Sequence, residues 1–205
     1  MFDCIHLASQ SPRRAQLLAQ IGVRHVPLLP GADEDAEGLE AVRPGEPPEV
    51  YVARVTQAKL AAALMRRVQR GAADWPVLCA DTTVALDGAI LGKPADAAEA
   101  LAMLTRLAGR SHQVHTAVAV GQGGRVLART QTSTVRMSDP GAARLAAYAA
   151  SGEPMGKAGS YAIQSAAAAW IMEIHGSYSG IMGLPLYDTA ELLAAFDVVV
   201  GAGHA

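Results

Sequence analysis

Apolar residues occur in short blocks separated by glycine, proline and acidic turns, and their spacing alternates between strand and helix periods. Cys4–Ala8 is a short apolar run ending in Ser-Gln-Ser-Pro. A helix is predicted over Pro12–Ile21, with Ser11 as cap, Pro12 at the first helical position and Gly22 as stop. Val26–Leu29 reads as a strand, and the acidic, Gly- and Pro-rich stretch Gly31–Pro48 as a loop. Glu49–Arg70 predicts a long helix. Pro76–Ala80 predicts a buried strand that stops at Asp81, followed by a hairpin over Thr83–Leu91 turning at Asp87-Gly88. Asp96 and Glu99 make a capping box for the next helix, which Gly109 closes. His112–Val120 and Val126–Met137 are strands joined by the glycine-rich turn Gly121–Gly124. Ser138–Ala150 reads as a capped helix, Ser151–Gln164 as a loop or short strand, Trp170–Ile174 as a strand, Tyr178–Pro185 as a loop and Leu186–Phe196 as the last helix. Strands that alternate with helices but also pair as hairpins predict an α/β fold with a mixed sheet.

With 205 residues, half of them apolar, the chain can bury a sizeable core as a single domain over 1–205, or as two lobes sharing a sheet. A net charge of −2 gives no reason to expect a nucleic acid polymer or a membrane surface as partner. Met1–Leu7 carries Asp3 and His6 and does not resemble a signal peptide. The Ala-rich stretch after Gln164 is interrupted by Glu173 and His175 before it could span a bilayer. Cys4 and Cys79 both lie in apolar runs and read as reduced core thiols, which fits a cytoplasmic protein. Fourteen arginines stand against three lysines, Lys59, Lys93 and Lys157. In such a background the lysines mark positions where a compact ammonium is wanted, or survive by chance.

Several polar residues are badly placed for structure alone. Arg13 and Arg14 fall in the first turn of the first helix, where cations oppose the dipole at a cost of about 0.3–1 kcal/mol each. With Ser9, Ser11 and the free N–H groups of the helix they form a polyphosphate cradle, unless they are simply solvated. At about 100° per residue, Val52, Val55, Lys59, Ala62 and Ala63 share one stripe, so Lys59 either snorkels from an apolar face or meets an anion in a cleft. Asp81 ends an apolar strand, where α/β sheets place ligand chemistry, or where an Asp makes an ordinary turn. Lys93 follows the hairpin and can return beside it. Glu34 lies in the acidic run Asp33-Glu34-Asp35, which taken alone reads as solvated. His112 and His115, three apart on a strand, point to opposite faces and make a poor metal pair. There is no Walker loop, nucleophile elbow or Cys–His arrangement, so covalent catalysis is not expected.

Taken together these residues resemble the Maf family. The likeness is carried in order along nearly the whole chain by Leu7-Ala-Ser-Gln-Ser-Pro-Arg-Arg14, Lys59, Ala80-Asp-Thr-Thr-Val84, Gly92-Lys-Pro94, the segment Glu153–Gln164 and the segment Gly176–Pro185. The resemblance implies an elongated, twisted mixed sheet flanked by helices, with two lobes and a central cleft, as in inosine triphosphate pyrophosphatases. It implies hydrolysis of nucleoside triphosphates between the α- and β-phosphates, a divalent metal (Mg²⁺ or Mn²⁺), and often a homodimer. Carried over by position, Asp81 matches the proton acceptor. Arg13, Thr82 and Gln164 match positions associated with substrate choice. Ser9, Arg14, Glu34, Lys59, Lys93 and Lys157 match the polar cleft. On this reading Ser9, Arg13, Arg14, Lys59, Lys93 and Lys157 bind phosphate, and Glu34 and Asp81 hold the metal. Lys157-Ala-Gly-Ser-Tyr-Ala-Ile-Gln164 resembles the branch acting on dTTP and UTP rather than the one acting on 7-methyl-GTP, which lacks that Lys and Gln. The chain departs from the family at Gly156, where an acidic or polar residue is usual, and at Ser165–Ala169, which replaces a more glycine-rich stretch. Two other roles fit the same resemblance: house-cleaning of modified pyrimidine nucleotides, and a nucleotide-binding regulator of septum formation acting through a partner.

Overall fold

The first strand, β1 (Ile5–Leu7), runs parallel to β2 (His25–Pro27), and the helix α1 (Pro12–Gln20) crosses between them. The structure is a computed structural model that describes residues 1–32, 34–35 and 38–201. Asp33 of the acidic run lies outside the described residues. Gly22, at φ 71°, takes the left-handed conformation that ends α1 and lets the chain turn back. A second crossover, the 22-residue helix α2 (Pro48–Gln69), leads to β3 (Val77–Leu86), which pairs parallel with β1 through His6↔Val77 and Leu7↔Leu78.

The remainder of the sheet is antiparallel. β4 (Ala89–Leu91) folds back on β3 through Asp87 and Gly88, both at positive φ as a two-residue hairpin turn requires. The helix α3 (Ala97–Leu107) starts as its capping residues predict: Asp96 accepts from the Glu99 N–H at 2.8 Å. β5 (Ser111–Gln122) and β6 (Arg125–Met137) form a long hairpin, and β7 (Ile171–His175) joins the end of β6. The sheet order is β2-β1-β3-β5-β6-β7, with β4 beside β3. The α/β class with a mixed sheet flanked by helices is therefore as the sequence and the resemblance predict.

Three local expectations are corrected. The strand does not stop at Asp81. Residues 77–85 of β3 pair continuously with β5, and Asp81, Thr82 and Thr83 sit opposite Ala117, Thr116 and His115. Backbone pairing along β5 carries polar side chains through the middle of the strand. The helix α4 (Ala142–Ala150) is preceded by Gly141, not capped by Ser138, whose hydroxyl is spent on the Trp170 carbonyl at 3.0 Å. Part of the expected loop Tyr178–Pro185 is the short helix α5 (Tyr178–Met182), capped by the Ser177 hydroxyl and ended by Gly183 at φ 117°. The last helix, α6 (Leu186–Ala194), is close to its predicted span.

The two largest apolar cores share the same central strands. The first half of β3, with Ile5, Leu7, Leu18, Val118, Val120 and Leu193, builds one. The second half, with Leu104, Leu107, Val135, Met137 and Tyr148, builds the other. On the β1/β4 edge, β1 leaves β3 at Leu78 and β4 joins only at Val84. The polar residues Asp81-Thr82-Thr83 occupy the strand between those points.

Candidate active site

A cavity of about 1190 Å³ opens at this gap. Ser9, Arg13, Arg14, Glu34, Lys59, Asp81, Thr82, Lys93, Lys157 and Gln164 all line it, so the residues the resemblance assigns to the site face one space. They arrive from the first turn of α1, the loop before α2, the middle of α2, the centre of β3, the end of β4 and the segment after α4. Strand alternation sends Asp81 and Thr82 to opposite faces. Asp81 meets α2, whereas Thr82 meets Arg14.

Lys59 is on the apolar stripe of α2, between fully buried Val55 and Ala63. Its Nζ donates to Asp81 Oδ1 at 2.6 Å and to Glu40 Oε1 at 2.7 Å. Burial works to lower the pKa of Lys59, but the attraction of Asp81 and Glu40 outweighs it and the pKa is raised, so the ammonium is secure. Lys93 Nζ takes the other oxygen of Glu40 at 2.9 Å. Burial would raise the pKa of Glu40, yet the bonds from Lys59 and Lys93 win and hold it below the usual carboxylate range. Glu40, on a turn of 3-10 helix over Gly38–Glu40, was not among the residues read from the sequence. It sits in a Pro- and Gly-rich loop with no periodicity, and nothing local marks it. Only the return of that loop onto α2, fixed by Tyr51 donating to the Glu40 carbonyl at 2.9 Å, brings it to the lysines.

Glu34, expected to bind metal, is gripped by Arg66 of α2 through Nε at 2.7 Å and by the Gly31 N–H at 2.9 Å. The Arg66 hydrogen bonds lower its pKa to about 2. Arg66 also donates to the Leu28 carbonyl at 2.9 Å, so it staples the loop to the helix. This buried arginine was likewise missed. It lies on the inner face of a long helix, where its guanidinium is tolerable only because these partners satisfy it.

Arg14 reaches across the cleft. It donates from Nε to the Gly183 carbonyl at 2.8 Å, from Nη1 to Ser9 Oγ at 3.1 Å and from Nη2 to Thr82 Oγ1 at 3.3 Å. The opposite wall is the segment from Lys157 to Gln164. Lys157 donates to the Glu153 carbonyl. Burial, and then the charge of Arg13, lower its pKa against the pull of Glu153. Gly159, at φ 66°, lies so close to β3 that a Cβ there would fall 2.9 Å from Val84 Cβ. Tyr161 is buried and pairs with His112 Nε2 at 2.7 Å. Burial pushes His112 down to about 4 and raises the Tyr161 phenol, so a neutral imidazole and a neutral phenol share this hydrogen bond. His115 turns instead to Thr132 Oγ1 at 2.9 Å, and the two histidines do not meet.

The site thus offers ammonium and guanidinium groups around a carboxylate that faces solvent-accessible space. Such an arrangement is able to take up a polyanion beside a carboxylate. Among the described residues no helix is long and apolar enough to cross a membrane. A sequence model for a family described as Maf-like protein matches residues 4–196. A protein of Albidiferax ferrireducens named dTTP/UTP pyrophosphatase is 57% identical over 196 residues, covering 96% of this chain and 98% of its own. Proteins with the same name from Polaromonas sp. and Burkholderia orbicola are 58% and 60% identical over 193 and 195 residues. They cover 94% of this chain each, and 96% and 93% of their own. By the extent of these matches and the site they enclose, the chain belongs to the Maf family.

Proposed function

We propose that this protein is a nucleoside triphosphate pyrophosphatase that hydrolyses the α–β anhydride of dTTP and UTP, releasing the monophosphate and pyrophosphate. The observation that carries the reading is the carboxylate of Asp81, 2.6 Å from Lys59 at the centre of a cation-lined cavity. The names of the relatives support the substrate pair.

A triphosphate brings about four negative charges. Arg13, Arg14, Lys59, Lys93 and Lys157 offset them from the walls. Charge grows on the leaving pyrophosphate as the anhydride breaks, so cations held in place beforehand stabilise the transition state more than the bound substrate. Asp81 takes the proton of the attacking water, and Lys59, bonded to its Oδ1, holds that carboxylate in place for it. Gln164, exposed on the far wall, offers a paired donor and acceptor to a pyrimidine edge. The oxygen donors facing the cavity suit a hard divalent cation. Among the described residues no three acidic, His or Cys side chains gather around a common point. Asp81 would hold a divalent cation, with Glu34 joining it only by leaving Arg66, and the ion would neutralise phosphate charge when bound. The reading places the protein in the cytoplasm, in keeping with Cys4 and Cys79 being free and buried.

The test is pyrophosphate release across a nucleotide panel, with wild type compared to Asp81→Asn. dTTP and UTP should be the preferred substrates. The variant should lose at least about 100-fold in kcat, the usual contribution of a general base, while keeping its melting temperature. Near-normal turnover in Asp81→Asn would sink the scheme.

A further inference from the structure

Under the phosphate cradle, the hydroxyl groups have hydrogen-bond directions that the geometry forces. Thr116 of β5 is fully buried and has one hydroxyl proton. Its Oγ1 lies 2.7 Å from the carbonyl oxygen of Gly180 in α5, which can only accept, so that proton goes to Gly180. Thr82 Oγ1 lies 2.9 Å from Thr116 Oγ1. With the Thr116 proton already committed, Thr82 must be the donor. Thr82 in turn accepts an N–H of Arg14 at 3.3 Å. The Nε–H of Arg14 goes to the Gly183 carbonyl at 2.8 Å, at the end of the same short helix. The series Arg14→Thr82→Thr116→Gly180 is thereby closed into a ring by the backbone of α5, with both branches donated from one guanidinium.

The same inventory ends differently at Ser9. Its Oγ accepts from the Ser11 N–H at 3.2 Å and from Arg14 Nη1 at 3.1 Å. Both contacts occupy its lone pairs, and its own proton remains for an acceptor in the cavity that it lines.

We propose that Thr116 is a positioning residue of this cradle. By accepting the Thr82 proton it fixes Thr82 as an acceptor for Arg14, and the guanidinium so held leaves the Ser9 proton for a substrate phosphate. The proposal rests on the nucleotide pyrophosphatase reading. It also gives Thr82 a specific part: its proton is committed inside the protein, so it acts on substrate choice through the ring and not by donating to the substrate.

The experiment measures kcat and KM for dTTP by pyrophosphate release in wild type, Thr116→Val and Thr116→Ser, with melting temperatures. Valine keeps the shape and removes the hydroxyl; serine keeps the hydroxyl. Thr116→Val should raise KM about tenfold, the scale of one charge-assisted hydrogen bond, with kcat within about threefold. Thr116→Ser should return KM to within about threefold of wild type. Adding Ser9→Ala to Thr116→Val should cost less than Ser9→Ala costs alone, because both act on one contact. The proposal is overturned by a Thr116→Val KM within about threefold of wild type, by a serine variant no better than valine, by additive losses, or by a fall in kcat as large as the rise in KM. Should Thr116→Val not fold, the half-buried Thr82→Val carries the same expectation and the same refutation. Absence of turnover in wild type would sink the pyrophosphatase reading instead. Calorimetric binding of inorganic pyrophosphate to the same variants then still decides on the ring: weaker binding to Thr116→Val supports it, and equal affinities overturn it.

Discussion

Glu40 lies 2.7 Å from Lys59, and the other oxygen of the same carboxylate takes Lys93 at 2.9 Å. Two ammonium groups, one from α2 and one from the segment after β4, are thus bridged by one protein anion, as a phosphate would bridge them. An incoming triphosphate must either displace Glu40 or share the lysines with it. Glu40→Gln keeps the shape and removes the competing charge. We expect a KM for dTTP several-fold lower than wild type, tighter product inhibition by pyrophosphate and no gain in kcat, read from steady-state pyrophosphate release. A loss of kcat without a change in KM would show that the carboxylate serves the reaction itself.

The His112–Tyr161 pair makes stability depend on pH. The His112 pKa falls from 6.5 to about 4 in the folded protein because burial disfavours the imidazolium. Between these values the unfolded chain binds a proton that the folded chain does not, so stability falls as pH drops from 6.5 towards about 4. The full effect is on the order of 3 kcal/mol. Urea unfolding of wild type and His112→Gln at several pH values should show a flatter profile for the variant across this window. Parallel profiles would refute the assignment.

Gly159 brings the wall that carries Lys157 and Gln164 against β3. A Cβ there would sit 2.9 Å from Val84 Cβ, and its φ of 66° is one that side chains rarely adopt. Gly159→Ala should lower stability by about 1–3 kcal/mol, from strain and overpacking together. It should also raise KM more than it lowers kcat, because the wall moves and Asp81 does not. Calorimetry and steady-state kinetics on one preparation check both.

Much of the architecture was legible in order along the chain. The caps at Asp96 and Glu99, the stop at Gly22 and the turn at Asp87-Gly88 are local chemistry, and the structure keeps them. The cap expected at Ser138 and the end of β3 expected at Asp81 were misread for a common reason. A hydroxyl or carboxylate looks like a boundary until a distant partner claims it, here the Trp170 carbonyl for Ser138 and Lys59 for Asp81. Helix α5 escaped notice because five residues leave too little periodicity to register.

The sequence by itself determined the inventory: three lysines, an arginine pair at the start of a helix, an aspartate after an apolar run, and a strand–helix alternation that admits few sheet topologies. Only the tertiary structure decided how these groups are paired. It placed Glu40 between Lys59 and Lys93, gave Glu34 to Arg66, and directed the Thr82 proton inward and left that of Ser9 for the cavity. Spacing along a chain predicts which face a residue takes. Hydrogen bonds and ion pairs depend on angstrom distances between segments far apart in sequence, which are set only once both cores have packed against the shared strands.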